Sequence, residues 1–254
     1  MINSEFGTDL PPPVPGSARE ALGRTPWLGR VPAAILDGMA QHAVLHRVPA
    51  GSLLFRQSET PSFAQLLVSG CVELVGVAGS VEALIETVRP IDLLLPAAVL
   101  NCQPYLAHGR VLEEAMLVLI HADAFREAVA ADHALCLAVL ACQAAHFRRQ
   151  VKHAKNLELR SAEDRVGCYL LRLVTAAGPD TAVRLPVEKR RIAWQLGMTR
   201  ETFSRTLATM TRHGLRLSGD TIEIADPAAW SLRFPLDPLI DSEEPIVPLA
   251  PKFG

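Results

Sequence analysis

Residues Leu185 to Arg216, LPVEKRRIAWQLGMTRETFSRTLATMTRHGLR, hold the pattern that decides the fold. Two short helices around a tight turn are predicted here. From Val187 to Leu196, Ile192, Ala193 and Leu196 form one apolar face. Gly197 then ends the first helix, because a residue without a Cβ takes the left-handed conformation that follows a helix terminus. Thr199 is a suitable N-cap, and a second helix is expected from Arg200 to about Arg212. On it Phe203, Leu207 and Met210 recur at i, i+4 and i+7, a buried stripe. Arg200, Glu201, Ser204 and Arg205 lie off that stripe in the first turn and a half. A recognition helix places its base-reading side chains there. Arginine can donate two bonds to guanine, and a carboxylate can accept from the cytosine amino group. The competing reading is a solvated helix in which Glu201 and Arg205 form an ordinary i,i+4 ion pair.

Charge separates the two readings. The whole chain is slightly acidic, at net −2, yet from Val187 to Arg216 seven basic residues face two acids, giving +5. Such a cluster is the footprint expected of phosphate contact. Lys189, Arg190, Thr199, Thr202 and Arg212 are the candidates for it.

The segment LGMTRETFSRTLATMTRHGL resembles the helix-turn-helix signature of the bacterial Crp/Fnr superfamily of transcription regulators. That resemblance implies that Glu201, Ser204 and Arg205 match the E-T-x-S-R form of the Fnr-like branch, which reads TTGAT-type half-sites. Arg200 matches the additional arginine of the cyclic-AMP receptor branch, which reads TGTGA. Both branches share a TGA core, and the outer bases stay open.

A chain of 254 residues, 49% of them hydrophobic, can bury the cores of two ordinary domains and is not mostly disordered. Its longest apolar runs, such as Leu93 to Leu100, fall far short of a membrane span, and the N-terminus lacks the basic start and apolar run of a signal peptide. A cytoplasmic protein without a membrane partner is expected. Five cysteines at 71, 102, 136, 142 and 168 include no C-x-x-C pair, so they are expected as free, mostly buried thiols, and no metal site is expected.

Residues 1–20 are expected as a flexible tail. From Val44 short apolar runs alternate with Gly, Ser and Pro every eight to twelve residues, the texture of an all-β barrel or sandwich. GSLLFRQSE and FAQLLVSGCVELVG resemble the strands and turns of the cyclic-nucleotide-binding-like jelly roll, and Ser58-Glu59 stands where relatives often have Gly-Glu. Gly51 and Gly70 occupy turns that require positive φ. A jelly-roll sensor domain is assigned to residues 21–131.

Asp132 to Asn156 repeats Leu137, Leu140, Ala144, Phe147, Val151 and Ala154 at steps of three and four, the seam of a coiled coil. The resemblance implies a dimerisation helix, here 132–157, and hence a homodimer on palindromic double-stranded DNA. The alternative is packing on its own domain. Residues 158–234 are assigned to a winged helix-turn-helix, with Ser161 capping its first helix, Leu215–Leu217 and Thr221–Ile224 forming the wing, and Gly178-Pro179 breaking the chain between them. Residues 235–254, rich in proline and acids, are expected as a second flexible tail. The expected fold class is α+β.

The effector is unknown. By resemblance, cyclic-AMP receptors bind the ribose through Gly-Glu and the cyclic phosphate through Arg-Ser or Arg-Thr; Leu95-Pro96 and Tyr105-Leu106 stand at those places. Cyclic AMP is therefore disfavoured, and Arg110 lies several residues late. An iron–sulfur cluster is disfavoured because the first cysteine is Cys71. For haem, His42, His46, Cys71, Cys102 and His108 are nominal axial ligands, and no spacing singles one out. A constitutive regulator with a sealed barrel is a further reading. A cupin-type metalloenzyme would need histidines converging from neighbouring strands, and the barrel has no H-x-H. The expected function is a transcription regulator, not an enzyme, with RNA polymerase as a partner if it activates.

Overall fold

The computed structural model describes residues 15–178, 182–186 and 188–248. Most of the first tail, Pro179 and Val187, at the expected start of a helix, lie outside the described residues. The first described elements are α1 (Ala18–Gly23) and α2 (Ala33–Gln41), so a helix starts within the stretch assigned to the tail. An antiparallel sheet follows, built of β1 (Ala43–Val48), β2 (Leu53–Phe55), β3 (Phe63–Ala78), β4 (Val81–Val88), β5 (Asp92–Leu94) and β6 (His108–His121). The strand order is β1-β6-β3-β4, with β2 on β6 and β5 on β3.

Adjacent side chains of a strand point to opposite faces, and this sheet buries both. Leu66, Val118 and Ile120 join the core shared with α1, α2 and the helices that follow the sheet. Leu67, Val72, Leu74 and Leu117 fill the inner face with Val48, Phe55 and Tyr105. The long strands bend where their register slips, between Leu67 and Ser69 and between Cys71 and Val72. Gly70 sits in that bend at φ +87°, and a Cβ there would run into the Glu114 carbonyl.

After β5 come α3 (Pro96–Leu100) and, beyond β6, α4 (Ala122–Ala131). The helix α5 (His133–Leu159) is 27 residues long, about 40 Å at 1.5 Å per residue. Asp132 caps it by accepting from the Leu135 N–H at 2.7 Å. A capping box of Ser161 and Asp164 starts α6 (Ala162–Ala177). The strand β7 (Ala182–Arg184), which the sequence reading missed, pairs with β9 (Thr221–Ile224), itself paired with β8 (Leu215–Ser218). Between them lie α7 (Lys189–Gln195) and α8 (Arg200–Met210), the latter ended by a 3-10 turn over Thr211–His213. The core of this second unit gathers Val166, Leu170, Ile192, Phe203, Leu207, Met210, Ile224 and Trp230. Gly167 on α6 leaves space for the Phe234 ring, which a Cβ would overlap.

The C-terminal segment corrects the expectation of a flexible tail over 235–254. After α9 (Pro227–Arg233), a short helix α10 (Pro238–Asp241) packs on α5. Asp241 accepts two bonds from the Arg160 guanidinium, at 2.8 and 2.6 Å. Glu244 meets Arg148 and, at 2.5 Å, Lys152. Acids that looked like the solvated charges of a disordered end neutralise the basic flank of the long helix instead. Only residues 249–254 of that segment lie outside the described residues.

Candidate nucleic-acid interface

The turn between α7 and α8 is built as its residues require. Gly197 adopts φ +63°, and a Cβ there would strike the Leu157 side chain. Thr199 is extended, and its hydroxyl accepts from the Thr202 N–H at 3.1 Å, satisfying a free donor of the first turn. Phe203 and Met210 are fully buried and Leu207 nearly so, which fixes the rotation of α8 about its axis. Arg200, Glu201, Ser204 and Arg205 are all exposed on the opposite side.

Among the described residues, Arg200 and Arg205 make no ion pair or hydrogen bond, so the Glu201–Arg205 bridge of the competing reading is not formed. Glu201 turns to the helix start: bonds from its own N–H and the Thr199 hydroxyl hold its carboxyl below the usual range. This face presents two unsatisfied guanidinium forks and one carboxylate at the positive end of a capped helix.

The phosphate candidates divide. Arg190 is exposed and lies over the Trp194 ring at 4.7 Å, which stiffens it without neutralising it. Lys189 donates to the Gly219 carbonyl at 2.9 Å and stands 3.9 Å from Asp220, so it is tied to the wing turn. Arg212 pairs with Glu163 of α6 at 3.0 Å. Thr199 is engaged by the cap, and Thr202 is half-buried. Two further cations of the basic run are also paired, Arg191 with Glu73 and Arg216 with Glu223. Of the seven cations, Arg190, Arg200 and Arg205 alone stand without an ion pair among the described residues. The positive field is thus narrower than the local +5 suggested, and it is centred on the tip of α8.

Along α5 the expected seam is exposed where it matters. Leu140 is 53% exposed, Phe147 70% and Val151 42%, with Ala144 and Ala154 open between them. Leu137 is half-buried at the edge of this face, and the exposed Cys136 continues it toward the N-terminus. The opposite face is packed on the sheet through Leu135, Val139 and Cys142.

The sheet interior is filled. Tyr105 is buried and stacks on Phe55 at 4.0 Å, at the place where the resemblance would put a phosphate-binding arginine. Ser58 and Leu95, which replace the glycines of the resembled motifs, keep left-handed backbones at φ +72° and +44°. Both turns therefore persist while their glycines are gone. Of the nominal haem ligands, His42, His46 and Cys102 are exposed, Cys71 is fully buried, and His108 accepts from the Gln57 N–H at 3.1 Å. None of them lines the cleft of about 1050 Å³ that lies between the sheet, α5 and the second unit.

One constellation escaped the sequence reading: Asp92, Cys142 and His146 converge where β5 meets α5. The cysteine and histidine are four residues apart on one helical face, a spacing that could have flagged them. Nothing in the sequence placed Asp92 beside them.

A family model of the cyclic nucleotide-binding domain matches residues 45–132, and one of the Crp-like helix-turn-helix domain matches residues 164–229. The chain belongs to the Crp/Fnr superfamily. Both matches fall on the two units described above, on either side of α5. Among curated relatives, the nitrogen fixation regulation protein FixK of Azorhizobium caulinodans is 27% identical over 191 residues, 72% of this chain and 74% of that protein. FixK of Bradyrhizobium diazoefficiens is 38% identical over 81 residues, 30% of this chain and 34% of that one. The fold is shared with solved structures of the superfamily. FixK2 of Bradyrhizobium japonicum superposes with a TM-score of 0.59 at 19% identity, covering 75% of this chain and 96% of that one. The regulator CLP of Xanthomonas campestris, described as c-di-GMP responsive, gives 0.65 at 17% identity, covering 77% and 100%. This Crp/Fnr chain is a DNA-binding transcription regulator similar to FixK, and its relatives are regulators rather than enzymes. Among the described residues, no single helix is long and apolar enough to cross a membrane.

Proposed function

We propose that this Crp/Fnr regulator binds, as a homodimer paired along α5, a palindromic DNA site with TGA-containing half-sites, under an effector other than cyclic AMP. One observation carries the reading: Arg200 and Arg205 stand exposed and unpaired on the capped end of α8, whose rotation is fixed by Phe203, Leu207 and Met210. Arg205 and Glu201 would read the TGA core, with Arg200 and Ser204 at the outer bases. Arg190 is the best placed of the phosphate candidates, and Lys189, Thr199, Thr202 and Arg212 would contact the backbone around it. The exposed run from Leu140 to Ala154 supports pairing, since an apolar stripe of this length on a water-facing helix is what a coiled-coil partner covers. A two-fold axis along it would give the two recognition helices matching half-sites.

The Phe55–Tyr105 stack favours a second reading for the sensor unit, in which the filled interior acts as a dimer scaffold and DNA binding is constitutive. Selection of binding sites from random duplex DNA, with the protein purified without additives, tests both readings. A palindrome with TGA cores is the expected result, and its appearance without ligand favours the constitutive form. Selection of an asymmetric or unrelated site would overturn the assignment of Glu201 and Arg205.

A further inference from the structure

The Asp92 carboxylate, the Cys142 thiol and the His146 imidazole meet beneath α5, on the side away from the exposed stripe. Asp92 is 5% exposed and Cys142 is fully buried. His146 Nε2 lies 2.7 Å from Asp92 Oδ1, Cys142 Sγ lies 3.4 Å from the same oxygen, and Sγ and Nε2 are 3.5 Å apart. We propose that these three side chains are the protein ligands of a zinc-class divalent metal ion that ties the sheet to the long helix.

The donor set suits such an ion. Thiolate, imidazole and carboxylate together are ligands of a borderline cation, and are a poor set for magnesium or calcium, which take oxygen. Spacing agrees. A tetrahedral ion with Zn–S of 2.3 Å and Zn–N or Zn–O near 2.0 Å spans sulfur-to-nitrogen and sulfur-to-oxygen edges of about 3.5 Å, and a nitrogen-to-oxygen edge of about 3.3 Å. Both sulfur edges already have that length. The third is shorter because a hydrogen bond closes it, and a bound ion would replace that bond after a small side-chain rotation.

The surroundings hold the ligands as metal sites require. Arg149 Nη2 donates to Asp92 Oδ2 at 2.6 Å, and the Leu93 N–H donates to Oδ1 at 2.8 Å, so the carboxylate is oriented from both sides. Arg149 is balanced in turn by Glu86 at 2.8 Å. A dication with one thiolate and one carboxylate is electrically neutral, and the Arg149–Glu86 pair beside it is neutral as well, so the occupied site leaves no unpaired buried charge. Binding displaces the thiol proton to solvent, while the imidazole ligates in its neutral form. Asp92 and Arg149 also line the cleft, which gives the ion a path in and supplies water for a fourth position. The cysteine and histidine at i and i+4 present both ligands from one face of α5.

The test uses the full-length protein, stripped with a chelator under reducing conditions and titrated with cobalt(II) as the spectroscopic probe. Exposed Cys102 and Cys136 are replaced by serine in the background, so that a stray surface thiolate gives no signal. A thiolate-to-cobalt charge-transfer band saturating at one ion per chain, and bleached by added zinc, is expected. Cys142→Ser should abolish that band. Asp92→Asn should weaken binding by tenfold or more, and Cys168→Ser, at a buried thiol elsewhere, should leave it intact. Circular dichroism of each variant checks folding. A chain that gives no charge-transfer band, or whose band survives Cys142→Ser in a folded protein, would show the three groups to be a closed hydrogen-bonded triad only. DNA-site selection on the stripped protein is read separately, so failure here leaves the recognition helix untouched.

Discussion

Arg191 of the helix-turn-helix reaches across to the sensor sheet and donates to Glu73 at 2.6 Å, and the Glu73 side chain is only 4% exposed. A cation that counts toward a DNA-binding patch in the sequence is thus a bolt between the two units. Removing it strands a buried carboxylate, whose desolvation is no longer offset. Since about a third of Arg191 stays exposed, Arg191→Ala should cost about 1–3 kcal/mol, short of the cost for a fully buried pair. Urea unfolding would measure it. An unchanged midpoint would mean that the pair contributes nothing in solution.

Arg205→Ala should behave differently, because Arg205 is exposed and makes no ion pair or hydrogen bond among the described residues. Stability should be unchanged, while operator affinity falls by about 1–3 kcal/mol and discrimination relaxes at one base of each half-site. A binding isotherm on a panel of single-base variants separates these effects. Uniform weakening across the panel would reassign Arg205 to phosphate contact.

Phe147 is the most exposed large residue of the α5 stripe. If α5 pairs as proposed, Phe147→Asp should leave a monomer on light scattering without loss of helical signal. Since the two half-sites are then bound independently, affinity for the palindrome should drop by orders of magnitude while a single half-site is bound as before. A variant that still runs as a dimer would place the interface elsewhere.

The C-terminal strap should be sensitive to acid. Hydrogen bonds from Arg148 and Lys152 hold the Glu244 carboxyl down at about 2. A carboxylate whose folded pKa is depressed adds stability above its unfolded pKa, near 4.3, and that contribution is lost as pH falls toward the folded value. Protection of the segment from a protease active in acid should therefore decline between roughly pH 4 and pH 2. Glu244→Gln should show the same release at neutral pH. Equal protection of variant and parent would assign the strap's hold to Asp241 and Arg160.

Gly51 and Gly70 share a positive φ and differ in surroundings. At Gly51, φ +85°, nothing stands near an added Cβ, whereas at Gly70 the Glu114 backbone blocks it. Gly51→Ala should cost about 1–2 kcal/mol, the left-handed backbone penalty alone. Gly70→Ala should cost clearly more, since the β3–β6 bend must also move. Similar melting temperatures for the two variants would contradict the close approach at Gly70.

Local rules reach far in this chain. The spacing of Phe203, Leu207 and Met210 determined which side of α8 is buried, and so which side carries Arg200, Glu201, Ser204 and Arg205. Gly197 and Thr199 marked the turn, Ser161 the start of α6, and the three-and-four steps from Leu140 to Ala154 a stripe on one face of α5, which is exposed. Each depends on residues a few positions apart, where helical geometry alone decides who shares a face. Charge behaved otherwise. The partners of Arg191, Arg212 and Lys189 are Glu73, Glu163 and Asp220, which lie 118, 49 and 31 positions away and were invisible to a local count. The acidic end of the chain read as solvated until α5 supplied Arg148, Lys152 and Arg160 to meet it. Asp92 joins Cys142 and His146 only because β5 pairs with β3 beneath the long helix. Periodicity and capping are properties of neighbours along the chain, and the sequence by itself determined them. Ion pairing and ligand convergence depend on distance in space, which the packing of the sheet, α5 and the winged unit alone decided.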